Sequence, residues 1–213
     1  MTCPFDLVHY GELLEAAIAG GYRFAGFDRP PEPGDLLVRH DVDLSLEAAV
    51  EMAELEQRLG VRTTYCLMTE SVFYNLLSHD GVEAQRRLRD LGHAVGLHAV
   101  YPNAALDERF DPVLAWHNPD PAYMSAPVDG AVNVMQPPWF DPDCYRSDSN
   151  QHWRSGCPHE DLGSGTFAWL QLLVHPEIWV FPGQTMGETM RAMLDAKREL
   201  ALRQLAADRI DLS

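Results

Sequence analysis

The chain has 213 residues, 46% hydrophobic and 23% charged, with a formal net charge of -16. That length and balance suit one soluble globular domain whose core needs no staples. The excess of acid excludes a phosphate-backbone partner, which needs a cationic surface, and no apolar run approaches the ~18 residues of a membrane span.

In chain order, LVHYGELLEAAIAGGYRF spaces Leu7, Leu13, Leu14, Ala17 and Ile18 along one helix face, and Gly20 and Gly21 close that helix. The proline-rich loop DRPPEPGD leads into a strand over 36–38. Ser45 caps a helix whose buried side holds Leu46, Ala49, Val50, Met52, Ala53, Leu55 and Leu59, and Gly60 ends it. Residues 61–68 read as a strand, 81–92 as a helix and 93–98 as a short strand. This alternation predicts a parallel sheet of βα units, with any site at the C-terminal ends of its strands. The second half is less regular: strands over 113–117, 130–135 and 167–175, long polar loops between them, and a closing helix over 187–207. There is no internal repeat or clear linker, so residues 1–213 are expected to form a single domain, although two small ones fit the length.

The N-terminal stretch MTCPFDLVHYGELLEAA lacks a basic region followed by an apolar one, and a cytoplasmic location is expected. Cys3, Cys66, Cys144 and Cys157 are scattered without a Cys-x-x-Cys pair, which signals neither a zinc knuckle nor a disulfide framework. Free thiols are expected.

The motif LLVRHDVDLSLEAA ends an apolar run in two carboxylates. Asp41 and Asp43 are two apart, so in an extended segment both point the same way. One could hold a metal while the other acts as a base on water; equally, one could cap the following helix while the other is solvated. His93 and His98 are five apart and fall on opposite faces of a straight strand. His98, at the end of AVGL, is the better ligand candidate, and His93 reads as a turn residue. His117 and His175 also end apolar strands, and strand ends in one parallel sheet converge on one rim. Asp148, in the polar loop YRSDSNQHW, could orient a histidine through its ring N–H or form an Asx turn. His152 and His159 read as surface residues.

Together, LLVRHDVDLSLEAAVEMAELEQRLGVRTTYCLM, LGHAVGLH, YRSDSNQHW and LLVHPEIW resemble the polysaccharide deacetylases of carbohydrate esterase family 4, the NodB-homology fold, in its branch with an Arg-His-Asp-Val-Asp first motif. The resemblance covers nearly the whole chain. It implies an α/β fold, an irregular (β/α) barrel, and a divalent metal, usually Zn2+, that activates water to hydrolyse an acyl group on a sugar. By that resemblance Asp41 is the general base, Asp43 and His98 are metal ligands, and His175 is the general acid tuned by Asp148.

The second histidine of the family pair falls at Pro102, and His117 is the candidate replacement. Residues 103–112 are too short for the usual crossover helix, so the barrel is expected to be open or flattened there. Trp139, Arg39 and Trp153 are the candidate substrate contacts, and Trp116, Tyr123, Met135 and Phe140 could help wall a pocket. The expected activity is removal of an N-acyl group from a sugar or sugar-like small molecule. The alternatives are a deformylase or amidohydrolase acting on a non-sugar metabolite, and a binding module of the same fold that has lost catalysis. The partner is a small-molecule or glycan substrate, without nucleic acid or membrane, and a homo-oligomer is compatible with the sequence.

Overall fold

The computed structural model describes residues 3–210. Its strands are β1 (Arg23–Phe24), β2 (Asp35–Val42), β3 (Thr64–Met68), β4 (Ala94–Val100), β5 (Val113–His117), β6 (Val132–Asn133), β7 (Tyr145–Ser147) and β8 (Leu170–Val174). Seven of them form one sheet in the order β6-β5-β4-β3-β2-β8-β7, with β1 paired to the start of β2. All pairings are parallel, and the sheet curls into a half-barrel. The helices flanking it are α1 (Leu7–Ala19), α2 (Leu46–Leu59), α3 (His79–Asp90), α4 (His159–Gly163), α5 (Pro176–Val180) and α6 (Met186–Ala207).

The helix signals work locally as read. Asp6 accepts from His9 N–H at the start of α1, and Ser45 accepts from Ala48 N–H at the start of α2. Gly60 ends α2 in the left-handed conformation, φ 73°, where a Cβ would be strained. Leu13, Leu14 and Ala17 of α1 are buried, whereas Ile18, expected on the same face, is exposed.

Several boundaries move. The strand expected at 36–38 runs from Asp35 to Val42 and is buried along its whole length, so the charged motif lies inside the sheet. The strand expected at 130–135 shrinks to Val132–Asn133. The loop beginning at Tyr145 opens as β7, paired to β8, and α4 and α5 were not legible as helices. The expected opening after β4 is absent: β4 and β5 pair directly. The short connection succeeds because Asp111 closes it, accepting from Val95 N–H at 2.7 Å while its own N–H reaches Val95 O at 2.8 Å. Phe110 beside it is buried in the core. The open edges are β6 and β7, and Gln171 of β8 reaches across this gap to Val134 O and Trp139 O.

Alternation along β2 divides the core. Leu36, Val38 and Val42 face outward into clusters under α1, α2 and α3, while Leu37 faces the concave interior with Cys66, Val113, Ala115, Val134 and Met135. No helix among the described residues is long and apolar enough to cross a membrane.

Candidate metal centre

Period-two alternation places Leu37, Arg39, Asp41 and Asp43 on the concave side, as it does Gly96 with His98, and Val113 with Ala115 and His117. Because β2, β3, β4 and β5 are parallel neighbours, their C-terminal ends share one rim. There the two carboxylates meet the histidines.

His98 Nε2 lies 3.0 Å from Asp43 Oδ1, His117 Nδ1 lies 3.2 Å from the same oxygen, and the two imidazole nitrogens are 3.1 Å apart. Asp43 Oδ1 is buried without a hydrogen-bond partner. Tetrahedral Zn2+ at ~2.0–2.2 Å from N and O ligands spaces them ~3.3–3.5 Å apart, so these atoms need part by only ~0.3 Å to hold an ion. The backbone sets the orientation. His98 Nδ1–H donates to Ala115 O at 3.0 Å, which fixes the ring with Nε2 facing Asp43. Asn118, directly after His117, takes the left-handed conformation that asparagine tolerates best among the larger residues, φ 44°, and turns the chain away.

The charges fit the same arrangement. Burial pushes the Asp43 carboxyl up, but His117 and His98 outweigh it and hold it below the ordinary carboxylate range. Contact with Asp43 raises His117 against the opposing effect of burial. An ion with one carboxylate and two imidazoles keeps an open position, as in hydrolytic centres. Pro102, where the sequence resemblance would put a second histidine, is exposed after β4.

Asp41 is buried beside this triad. Its Oδ2 lies 3.9 Å from His98 Nδ1 and accepts from Arg39 Nη2 at 3.2 Å, and its Oδ1 has no partner. Across the rim, His175 follows β8. Its Nδ1–H donates to Asp148 Oδ1 at 2.6 Å, its backbone N–H donates to Asp148 Oδ2 at 2.9 Å, and Trp179 Nε1–H donates to Oδ2 at 2.7 Å. Burial opposes the imidazolium, but the field and hydrogen bond of Asp148 prevail, with smaller help from Asp41 and Glu177, and His175 is raised to about 10. Its ring therefore carries a proton at Nε2 at neutral pH.

The candidate substrate contacts divide differently. Arg39 is buried below Asp41 and reaches that carboxylate. Trp153 is buried with Phe5 and Trp179 on the convex side. Trp139 is half-buried in the concave cluster and donates from Nε1 to Arg29 O. Phe140 joins that cluster and Met135 is buried in it, whereas Trp116 is buried on the outer side and Tyr123 is exposed.

His40 points away from the metal centre. Its Nε2–H donates to Glu56, a fully buried carboxylate that also accepts from Tyr10, Thr63 and Tyr65. His93 belongs to this network and is not a turn residue. Its Nε2–H donates to Ala53 O, and its Nδ1 accepts from Thr63 N–H. The odd separation from His98 carried it to the opposite face, and burial holds it below its ordinary pKa. His152 is exposed and His159 is half-buried.

Glu177 was missed. It is buried, Oε2 has no partner, and burial pushes its carboxyl up to about 8 against the pull of His175. The one available signal was a lone acid in the otherwise apolar stretch PEIWV, two residues past His175. A cleft of about 730 Å³ lies at the opposite rim beside Thr63, Ala94 and Val113, away from these groups.

No protein-family model matches the sequence, and neither a curated protein nor a solved structure is significantly similar to it.

Proposed function

We propose that this chain is a metal-dependent hydrolase of the polysaccharide-deacetylase type that removes an acetyl or similar acyl group from the nitrogen of a sugar or sugar-like small molecule. The observation that carries the reading is the convergence of Asp43, His98 and His117, whose ligand atoms all lie within 4.8 Å of one another, beside an acid–base pair of groups on the same rim. The motif order that resembles the deacetylases supports an amide on a sugar as substrate.

A divalent ion such as Zn2+, bound there, would polarise the acyl carbonyl and acidify water. Asp41, with Oδ1 free and Oδ2 anchored by Arg39, accepts the proton of the attacking water. His175, protonated and aimed by Asp148, delivers a proton from Nε2 to the departing nitrogen.

The test is metal content by mass spectrometry for wild type, Asp43→Ala, His98→Ala and His117→Ala, paired with acetate release from N-acetylated sugars. Each substitution should remove the same metal equivalent, and Asp41→Asn should keep the metal while losing turnover. Folded wild-type protein that loads no ion sensitive to these substitutions would defeat the proposal.

A further inference from the structure

A second constellation lies on the convex side and is not used by the reaction proposed above. Cys3, His9 and Cys157 come together from the N-terminal segment, the first turn of α1 and the turn before α4, with their ligand atoms all within 4.8 Å of one another. His9 Nε2 lies 3.2 Å from Cys157 Sγ, and its Nδ1–H donates to Glu12 Oε2 at 2.8 Å. A carboxylate on the far ring nitrogen fixes the tautomer that leaves Nε2 free to ligate.

The surroundings are built around the sulfurs. Trp153 Nε1, in a residue only 5% exposed, is buried without a conventional hydrogen-bond partner. The Cys3 thiol reaches only Pro4 O, at 3.8 Å, and a thiophilic cation would displace the thiol protons. Phe5, stacked on Trp153, holds the N-terminal segment in place, and Trp179 stacks on His9. A cleft of about 600 Å³ opens onto Cys3 and Cys157.

We propose that Cys3, His9 and Cys157 form a binding site for a thiophilic divalent cation of the Zn2+ type, with two thiolates and one imidazole as ligands and a fourth position facing the cleft. Sulfur at ~2.3 Å and nitrogen at ~2.0–2.1 Å from tetrahedral zinc place the donors ~3.5–3.8 Å apart, close to the cluster as it stands. The donor set differs from that of Asp43, His98 and His117, so the two sites are separable by spectroscopy, and this one stands whether or not the chain is a hydrolase.

The experiment uses the full chain, stripped of metal and reduced without thiol reagents under nitrogen. Titration with Co2+ should produce a near-ultraviolet thiolate-to-cobalt band that persists in His117→Ala and disappears in Cys3→Ser and Cys157→Ser. In unsubstituted protein, Zn2+ should slow alkylation of Cys3 and Cys157 by about tenfold or more, because the bound thiolate is no longer a free nucleophile, while leaving half-buried Cys144 unchanged. Co2+ binding without a thiolate band, or alkylation of Cys3 and Cys157 indifferent to Zn2+, would overturn the proposal.

Discussion

Replacing Asp148 with asparagine tests the electrostatics of the rim directly. Asp148 is fully buried, and both of its oxygens are taken: Oδ2 by His175 N–H and Trp179 Nε1–H, Oδ1 by His175 Nδ1–H. An asparagine must turn its carbonyl toward the two fixed donors at the Oδ2 position, because an amide N–H there would oppose both. Its NH2 group then faces His175 Nδ1, which can only accept, and the ring becomes the neutral Nε2–H tautomer. Most of the shift of His175 from its ordinary 6.5 to about 10 disappears, and burial is opposed only by the smaller pull of Asp41 and Glu177.

Asp148→Asn is therefore expected to leave His175 titrating well below the wild-type value of about 10, and two-dimensional 1H–15N spectra of the imidazole nitrogens between pH 5 and 10 will read this. The sign of the stability effect follows. A histidine raised on folding contributes fully below its ordinary value and loses that contribution as pH rises through its folded value. The advantage of wild type over the variant should be greatest below pH 6.5, at ~3–5 kcal/mol for a broken buried pair, and should shrink as pH rises toward 10. An imidazolium persisting at pH 8 in the variant would refute the reasoning.

Glu56→Ala strands Tyr10, His40, Thr63 and Tyr65, all donors to one buried carboxylate, and should cost ~3–5 kcal/mol in urea unfolding. A loss under ~1 kcal/mol would mean the network contributes little. Because burial raises Glu56 but His40 and its other partners bring it down to about 2, its contribution is present above its ordinary 4.5 and fades as pH falls toward 2, which acid unfolding of wild type and Glu56→Ala compares. Gly96→Ala would place a Cβ 2.9 Å from Val113 O and 3.2 Å from Cys66 Sγ. The carbonyl cannot retreat without parting β4 from β5, so a loss of ~1–3 kcal/mol is expected by thermal or urea unfolding, and an unchanged midpoint would contradict the packing. Ser45→Ala removes the cap at Ala48 N–H and should lower the urea-unfolding stability by ~1 kcal/mol.

By itself the sequence determined the local order: α2 from Ser45 to Gly60, β5 over Val113–His117, and the parity that puts Asp41 with Asp43 and sends His93 away from His98. These depend on capping chemistry and on the two-residue repeat of a strand, both readable within a short window. The parallel βα alternation also predicted that His98 and His117 would end on one rim with Asp43, and the structure brings those three together.

Only the tertiary structure decided what depends on distant partners. The short strands β6 and β7 form because neighbours accept them, and the half-barrel opens between them rather than after β4 because Asp111 ties the β4–β5 connection. Arg39 looked like a substrate contact until curvature buried it beneath Asp41, and Trp153 until α5 packed Trp179 against it. Cys3 and Cys157 carry no spacing signal because the chain between them must fold completely before the sulfurs meet. Propensity and periodicity act over one or two turns of chain, whereas burial, ligand sets and charge pairs are set by packing across the whole sheet.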